Sequence, residues 1–319
     1  MGFRTRVRQW LGPLTFPKAG QHLAEVIMQV RPDLIHAMRI PYEGMIASLA
    51  LEQLPTLQPP LLISVWGNDF TLHAAANPWM AAYTRRTLKT ASALHTDCYR
   101  DQQLAYQWGF QEGKPAVILP GGGGIQLDLF CPPSSEELRK QIVINPRGVR
   151  AYVRNDTFFK SIPKVLEKFP SARFICTTMA GEPQALRWLA ELGIEQAVTL
   201  LPRQTRTEMA RRFQSAQVVV SPSTHDGTPN TLLEAMACGC YPVVGDIEAL
   251  REWITPGVNG ALVDPGDEQA LAEAVCEGLA DIELRQKAAA HNLALVAERA
   301  EYGKVMREAE GFYQKIIGG

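Results

Sequence analysis

Short runs rich in β-branched residues alternate with segments of helical periodicity from about Leu34 onward, and this alternation constrains the fold more than any other feature of the sequence. The candidate strands are Leu34–Ile40, Leu61–Trp66, Ala93–Thr96, Ala116–Leu119, Gln141–Asn145, Ala172–Thr177, Ala197–Leu201, Gln217–Ser221, Tyr241–Val244 and Ala261–Val263. The candidate helices are Gly20–Arg31, Trp79–Thr90, Phe158–Lys168, Pro183–Leu192, Thr207–Ser215, Glu268–Leu279 and all of residues 281–317. The pattern predicts an α/β fold in which parallel sheets carry helices on both faces.

At 319 residues the chain is long enough for two domains. The run from Pro132 to Ser135 interrupts the periodicity and predicts a boundary there. We therefore expect an N-terminal domain of residues 1–133, a C-terminal domain of residues 134–300, and a last helix, residues 301–319, that packs back toward the first domain. Because open parallel sheets bind ligands at the carboxyl ends of their strands, two facing sheets would enclose a cleft, with the motifs following strands.

Composition excludes several classes of protein. The chain has 32 Lys and Arg against 33 Asp and Glu, a formal net charge of -1, so no nucleic-acid partner is expected. The longest apolar stretch, residues 235–244, is too short to cross a bilayer, and no apolar segment of the kind that a signal peptide needs follows Arg8. Six scattered cysteines predict reduced, partly buried thiols and hence a cytoplasmic protein.

The first residues combine positive charge with apolar side chains, namely Phe3, Arg4, Arg6, Arg8, Trp10 and Leu11. A segment of this kind either makes a weak contact with an anionic membrane surface, which would place the protein at the inner face of the membrane, or forms a solvated basic tail. Both interpretations stay open at this point.

The most informative segment is Val218–Val244, which runs from a strand through a polar loop into a helix and on to a second strand. The helix is predicted to begin near Asn230 or Thr231, where its free N–H groups and positive dipole end suit a phosphate. In the loop, Gly227 allows a ligand close to the backbone and Pro229 fixes the turn before the helix.

Two carboxylates flank this helix start. Asp226 could accept hydrogen bonds from sugar hydroxyls, and Glu234 could accept them from a ribose. However, Thr231-x-x-Glu234 is also the pattern of a capping box, in which Glu234 would only satisfy the start of the helix. Spacing alone favours the capping box.

The segment from Asp226 to Val244 resembles the signature of glycosyltransferase family 4, E-G-x-P-x-x-x-x-E-A-M-A-x-G followed closely by P-V-V, with Asp226 in place of the first Glu. A second family pattern, E-x-I-x-x-G-x-N-G-x-L-V-x-P, matches from Glu252 to Pro265. The resemblance covers most of residues 30–319 and implies the GT-B fold, which has two facing Rossmann-like domains.

The resemblance also implies an activity, that of a retaining glycosyltransferase of hexosyltransferase type. Such an enzyme moves a sugar from a nucleoside-diphosphate sugar, commonly a UDP-sugar, to a hydroxyl of a glycan, a lipid or a small molecule. Glu234 would hold the ribose and Asp226 the transferred sugar. The remaining donor-binding positions of this segment would be Gly227, Thr228, Pro229, Asn230, Thr231 and Leu232.

Family members place two cations on the diphosphate, where leaving-group charge develops. Arg147 matches the first by its position after a strand, and Arg154 the second, with Arg150 as its rival. Because these cations would do the work of a metal ion and no D-x-D motif ends a strand, neither a metal nor another cofactor is implied.

The first domain matches the family less well. Trp66-Gly67-Asn68-Asp69 resembles its H-G-x-D turn, but Trp66 replaces the His and would either stack on a sugar or stand at the rim as an aromatic side chain. Pro120–Ile125 resembles its P-N-G-V-D turn and would place Gly124 at the donor. His73, His95 and His225 are lone histidines with structural or exposed roles by default, His225 being the best functional candidate because it adjoins Asp226.

No counterpart of the family's opening strand and Gly-rich turn is found in residues 1–20, so the first sheet is expected to be truncated by two or three strands. This motivates two alternatives: a nucleotide-sugar-binding protein without turnover, or the donor half of an enzyme completed by a partner chain. A GT-B isomerase, such as a sugar 2-epimerase, would need a cluster of carboxylates and His that the sequence lacks.

Overall fold

A computed structural model describes residues 3–54, 58–135 and 140–318, with the backbone alone for residues 3–6. The strands are β1 Ile35–Ala37, β2 Leu61–Val65, β3 Ala93–Thr96, β4 Ala116–Ile118, β5 Lys140–Asn145, β6 Arg173–Cys176, β7 Val198–Leu200, β8 Ala216–Ser221, β9 Tyr241–Gly245 and β10 Ala261–Val263. The helices are α1 Phe3–Leu11, α2 Phe16–Val30, α3 Met45–Leu51, α4 Pro78–Thr90, α5 Tyr99–Trp108, α6 Asn155–Lys168, α7 Pro183–Leu192, α8 Arg206–Ser215, α9 Asn230–Ala237, α10 Glu248–Arg251, α11 Glu268–Ala280, α12 Ile282–Ala300 and α13 Tyr302–Gly318.

Each predicted strand forms, and the α/β class is confirmed. The predicted strand Leu34–Ile40 is shorter than expected because the chain turns at Ile40–Gly44. The predicted helix over residues 281–317 is divided into α12 and α13, since Glu301 has an extended backbone. Helix α3 was not predicted because it is almost entirely apolar and buried, and therefore shows no helical period.

The chain divides into two compact units, which are described separately. Unit 1 comprises Met1–Gly123, His225–Thr228 and Lys304–Gly319, and unit 2 comprises Gly124–Thr224 and Pro229–Gly303. The division after Gly123 precedes the Pro-Ser run at which the sequence predicts a boundary, and residues 136–139 just beyond that run lie outside the described residues.

The sheet of unit 2 has six parallel strands in the order β10-β9-β8-β5-β6-β7. Numbered within the unit, this is the 3-2-1-4-5-6 order of a doubly wound nucleotide-binding fold. Strands β6 and β7 are added on one side of β5, and β8, β9 and β10 are added on the other side. Because the order of addition changes between β5 and β8, the connecting helices cover both faces of the sheet. Val143 of β5 packs with α6, α7 and α11 on one face, and the next residue, Ile144, packs with α8, α9 and α12 on the other.

The sheet of unit 1 has four described parallel strands in the order β1-β2-β3-β4. Each strand lies beside the one before it, and right-handed crossovers then place α3, α4 and α5 on the same face. Leu61, Ile63 and Val65 of β2 point into the core on that face. The opposite face carries Leu62 and is covered by α13.

Two further findings bear on the sequence analysis. Within the described residues, no helix has both the length and the apolar character that crossing a bilayer requires. All six cysteines are free thiols, and only Cys131 is not fully buried.

Candidate functional site

The point at which the sheet of unit 2 reverses is the place where a doubly wound fold binds its ligands. Strands β5 and β8 lie side by side there and end at Asn145 and Ser221. The two loops that follow them contain Arg147 and the start of the family signature. The strand order therefore brings together two motifs that are far apart in the sequence.

Backbone hydrogen bonds join these two loops. Arg154 N–H donates to the carbonyl of Pro222 over 3.0 Å, and Thr224 N–H donates to the carbonyl of Tyr152 over 2.8 Å. A ligand at the carboxyl ends of β5 and β8 would thus meet one continuous rim.

The turn that carries Arg147 is held by two buried asparagines. Asn145 Nδ2 donates to Asn155 Oδ1 over 2.9 Å, and Asn155 Nδ2 donates to the carbonyl of Gly148 over 2.9 Å. Asn145 Oδ1 also accepts the N–H of Arg147 over 3.1 Å. Sequence reasoning missed these residues, although an Asn that ends a strand just before Pro-Arg-Gly is a recognisable signal for a fixed turn.

Arg147 reaches the first turn of α9, where its Nη1 donates to Thr231 Oγ1 over 3.4 Å. Helix α9 begins at Asn230, as predicted, and its N-cap is Pro229, with no hydrogen bond from a capping side chain. Thr231 is thus the second residue of the helix, and the capping-box interpretation is wrong. Asn230 Oδ1 is buried without a hydrogen-bond partner among the described residues, so a polar group stands available at this helix start.

Glu234 lies one turn further along α9 and is half-buried. Burial raises the pKa of its carboxyl to about 7, against the opposing effect of the positive charge of Arg206. A ligand that donates hydrogen bonds to this group would favour the ionised form and lower the pKa again. Perturbation of this kind is common at functional sites.

The two candidates for the second cation have different surroundings. Arg154 forms a bidentate ion pair with Asp156, its Nε and Nη2 each 2.8 Å from a carboxylate oxygen. The pair raises the pKa of Arg154 and lowers that of Asp156. Arg150 donates from Nη1 to the Tyr152 hydroxyl over 2.9 Å at an exposed position. To bind a phosphate, Arg154 would have to leave or share Asp156.

The loop with Asp226 belongs to unit 1, where it packs tightly. A Cβ atom added to Gly227 would clash with the carboxylate of Asp97, and one added to Gly67 would clash with the backbone of Gly227. The Thr228 hydroxyl donates to the carbonyl of Asp97. Glycine is therefore required at position 227 by the close Asp97 carboxylate and at position 67 by the close backbone of the Asp226 loop.

A buried acidic cluster, missed by sequence reasoning, lies beside this loop. Ligand atoms of Asp97, Cys98 and Asp101 all lie within 4.8 Å of one another, so this group could in principle hold a metal ion. Arg100 Nη2, however, is 2.7 Å from Asp101 Oδ1 and neutralises that carboxylate, while burial raises the pKa of Asp97 well above its ordinary range. The charge of Arg100 and the burial of Asp97 therefore both oppose the binding of a metal ion.

The turn that contains Trp66 is anchored by Asp69, which is 1% exposed. Asp69 Oδ2 accepts the backbone N–H groups of Ile40 and Trp66 over 3.0 and 3.3 Å, and Oδ1 is 2.8 Å from Arg39 Nη2. The Trp66 indole N–H donates to the carbonyl of Met38, which leaves the ring 48% exposed. An exposed ring held in this way is compatible with either predicted role.

The other predicted positions have simpler surroundings. Gly124 has a positive φ of 88°, and Leu232 is buried in the core of unit 2. Burial lowers the pKa of His225, the nearby charge of Arg100 adding to the effect. Predicted residues thus fall in both units: Trp66, Asp226, Gly227 and Thr228 in unit 1, and Gly124, Arg147, Arg154, Pro229, Asn230, Thr231, Leu232 and Glu234 in unit 2.

Two parallel-sheet Rossmann-like units, the second with its motifs at the switch point, define the GT-B class of fold. Solved structures share it. Sucrose-phosphate synthase from Thermosynechococcus elongatus matches with a TM-score of 0.77 at 18% identity, over 96% of this chain and 79% of that one. Anabaena HepE in complex with UDP-glucose matches with a TM-score of 0.77 at 17% identity, over 92% and 82%.

Sequence models of two families match the chain as well. Residues 140–281 match the family described as glycosyl transferases group 1, and residues 2–121 match the glycosyl transferase 4-like domain. Both matched families are described as glycosyl transferases, and between them the two matches cover most of the chain.

Curated glycosyltransferases are also similar in sequence to part of this chain. The D-inositol 3-phosphate glycosyltransferase of Mycobacterium ulcerans (strain Agy99) is 31% identical over 198 residues, which are 59% of this chain and 42% of the relative. That of Mycobacterium leprae (strain TN) is 33% identical over 162 residues, 47% and 37% of the two chains. The matched segments thus span about two fifths of these relatives.

Proposed function

We propose that this protein is a retaining glycosyltransferase that moves a hexosyl group from a UDP-sugar to the hydroxyl of a glycan, lipid or small-molecule acceptor. The observation that carries the proposal is the meeting of Arg147 with the uncapped start of α9 at the switch point of unit 2. A guanidinium and a helix N-terminus together form a site for a diphosphate.

Arg147 would act on the leaving group. As the bond between the sugar and the β-phosphate breaks, negative charge grows on the phosphate oxygens. A cation already positioned at that point stabilises the transition state more than the ground state. The asparagine network that holds the Arg147 turn supplies this positioning. We propose that Arg154, released from Asp156, shares the charge and that no metal ion is needed.

Glu234 and Asn230 would hold the rest of the donor nucleotide. The carboxylate of Glu234 has the capacity to accept hydrogen bonds from both ribose hydroxyls, and the buried Asn230 Oδ1 offers a further acceptor. Asp226 would bind the transferred sugar, as the resemblance to the family implies. Trp66 would stack on a sugar ring with its exposed face.

The proposal is tested by donor binding and turnover measured side by side. A thermal-shift screen of UDP, GDP and ADP with their sugars should show one nucleotide that stabilises the protein by about 2.7 kcal/mol at one hundred times its dissociation constant. The protein should also release free UDP from the UDP-sugar that stabilises it, and chromatography measures this release. Binding without release would favour a nucleotide-sugar-binding protein, or a donor half that needs a partner chain, over an enzyme that acts alone.

A further inference from the structure

The second face of the sheet in unit 1 is covered differently from the first. Because the strand order β1-β2-β3-β4 sends α3, α4 and α5 to one face, the other face depends on α13. Parallel sheets are normally buried on both faces. Among the described residues, α13 is the helix that packs on this second face, and a cavity remains beside it.

This cavity has a volume of about 150 Å³ and lies between the strands and α13. Its walls are mainly apolar and include Leu62, Val117 and Phe312. No Lys, Arg, Asp or Glu is among its described lining residues. An apolar cavity of this volume accommodates a molecule of about the size of benzene.

The polar side of the cavity is a continuous chain of hydrogen bonds across three strands and α13. Tyr313 Oη is 2.8 Å from His36 Nδ1, and His36 Nε2 is 2.7 Å from Ser64 Oγ. Ser64 Oγ is in turn 2.8 Å from His95 Nδ1, and His95 Nε2 is 2.9 Å from the carbonyl oxygen of Leu119. Three strands of the sheet each contribute one member.

The direction of every bond in this chain follows from its last member. A carbonyl oxygen only accepts, so His95 Nε2 carries the proton and His95 Nδ1 accepts from the Ser64 hydroxyl. Ser64 has no second proton, so it accepts from His36 Nε2, and His36 Nδ1 accepts from the Tyr313 hydroxyl. Burial lowers the pKa of His95 and lowers that of His36 to about 4, which keeps both rings neutral as this order requires.

Every N–H and O–H donor in this series of hydrogen bonds is therefore used within the series. The oxygen of the Tyr313 hydroxyl keeps its acceptor lone pairs. A ligand gains a hydrogen bond here only if it brings a donor of its own. A charged ligand would find no opposite charge, and its desolvation would go uncompensated. The chemistry of the cavity thus selects an uncharged apolar body with a hydroxyl.

We propose that this cavity is a binding site for an uncharged apolar molecule of about the size of benzene, with one hydroxyl that donates a hydrogen bond to Tyr313 Oη. The site is separate from the residues proposed to bind the donor nucleotide. Its occupation does not depend on whether the protein transfers sugars.

The test is a ligand-observed NMR titration of the full chain with phenol, anisole and toluene, which have similar size but of which only phenol has a donor. Phenol should bind about three- to tenfold more tightly than the other two, as one net hydrogen bond allows. Equal affinities for the three probes would overturn the proposal.

Two variants locate the binding. Ala309→Phe, which fills the cavity from α13, should abolish binding of all three probes, and Tyr313→Phe should remove the preference for phenol over anisole. Tyr302→Phe, on the same helix but outside the cavity lining, is the matched control and should bind as the wild type does. With melting curves showing each variant folded, unchanged phenol binding in Ala309→Phe or an unchanged preference in Tyr313→Phe would contradict the proposal.

Discussion

The guanidinium of Arg147 and the hydroxyl of Thr231 lie 3.4 Å apart although the two residues are 84 positions apart in the sequence. Arg147 follows β5 and Thr231 belongs to the first turn of α9, which follows β8. The pairing of β5 with β8 is what brings them together. A phosphate placed between them would meet a cation and a helix N-terminus at once.

Replacing Arg147 with Ala should reduce transfer from the sugar donor by about 100- to 1000-fold, because a fixed charge at the leaving group acts mainly in the transition state. The measurement is initial-rate UDP release at saturating donor. Arg173→Ala is a suitable control, since Arg173 is an exposed arginine at the amino end of β6. Wild-type rates in Arg147→Ala would remove its assigned role.

Donor affinity should rise with pH through neutrality, because the pKa of Glu234 is about 7 and only the ionised form accepts two ribose hydrogen bonds. Below pH 7 the affinity should fall by up to about tenfold per pH unit, and above pH 8 it should level off. Calorimetric titrations of UDP between pH 5.5 and 8.5 measure this. Glu234→Gln should bind more weakly and lose the pH dependence; an unaltered profile in that variant would assign the titration to another group.

The same carboxyl should affect the stability of the free protein with the opposite trend. Its folded-state pKa is raised above the unfolded value of about 4.5, so between that value and about 7 the folded chain holds a proton that the unfolded chain has released. Stability of the wild type should therefore fall relative to Glu234→Gln as the pH rises through this interval. Urea unfolding at a series of pH values provides the comparison.

Arg154→Ala and Arg150→Ala should separate the two candidates for the second cation. We expect Arg154→Ala to weaken UDP binding about tenfold or more and Arg150→Ala to change it little. The reason is that the backbone N–H of Arg154 donates a hydrogen bond to Pro222, in the loop after β8, which holds Arg154 at that loop. The reverse order of effects in the calorimetric titrations would assign the role to Arg150.

Gly227→Ala should lower the stability by about 1–3 kcal/mol and reduce transfer, since the new methyl group would clash with the carboxylate of Asp97. Gly311→Ala is the matched control, because Gly311 lies in α13 and a Cβ atom there would have no neighbour within 4 Å. Urea unfolding of both variants gives the comparison. Equal stabilities would argue against the close packing of the Asp226 loop in unit 1.

We also propose a weak membrane contact through the N-terminal residues, where Trp10, Leu11 and Leu14 are 56%, 58% and 73% exposed. Deletion of residues 1–12 should then reduce flotation with vesicles that contain anionic lipid, as should the substitutions Trp10→Gln and Leu11→Gln. Arg8 stacks on the ring of Tyr42, so its charge is less available for lipid than the sequence suggests. Equal flotation of the full and shortened chains would favour a solvated tail.

Local sequence patterns determined where most of the strands and several helices of this protein lie. β-branched residues are enriched in buried strands, and short apolar runs containing them marked each described strand of the two sheets before any tertiary contact was known. The motif around Glu234 likewise predicted a helix that begins near Asn230 or Thr231, because Pro229 sets the turn within the sequence itself, and the helix begins at Asn230. Helix α3 escaped notice because complete burial removes the amphipathic period on which such predictions depend.

Contacts between distant residues were decided by the tertiary structure. The spacing of Thr231 and Glu234 favours a capping box, and only the observed start of α9 excludes it, because the choice depends on where the backbone leaves the loop. His36, Ser64 and His95 stand on three neighbouring strands: Ser64 pairs directly with His95, and His36 pairs with Leu62, two residues before Ser64 on the same face. They form one series of hydrogen bonds only because those strands are adjacent in the sheet. Period and propensity act over a few residues, whereas strand order places residues side by side at any separation along the chain.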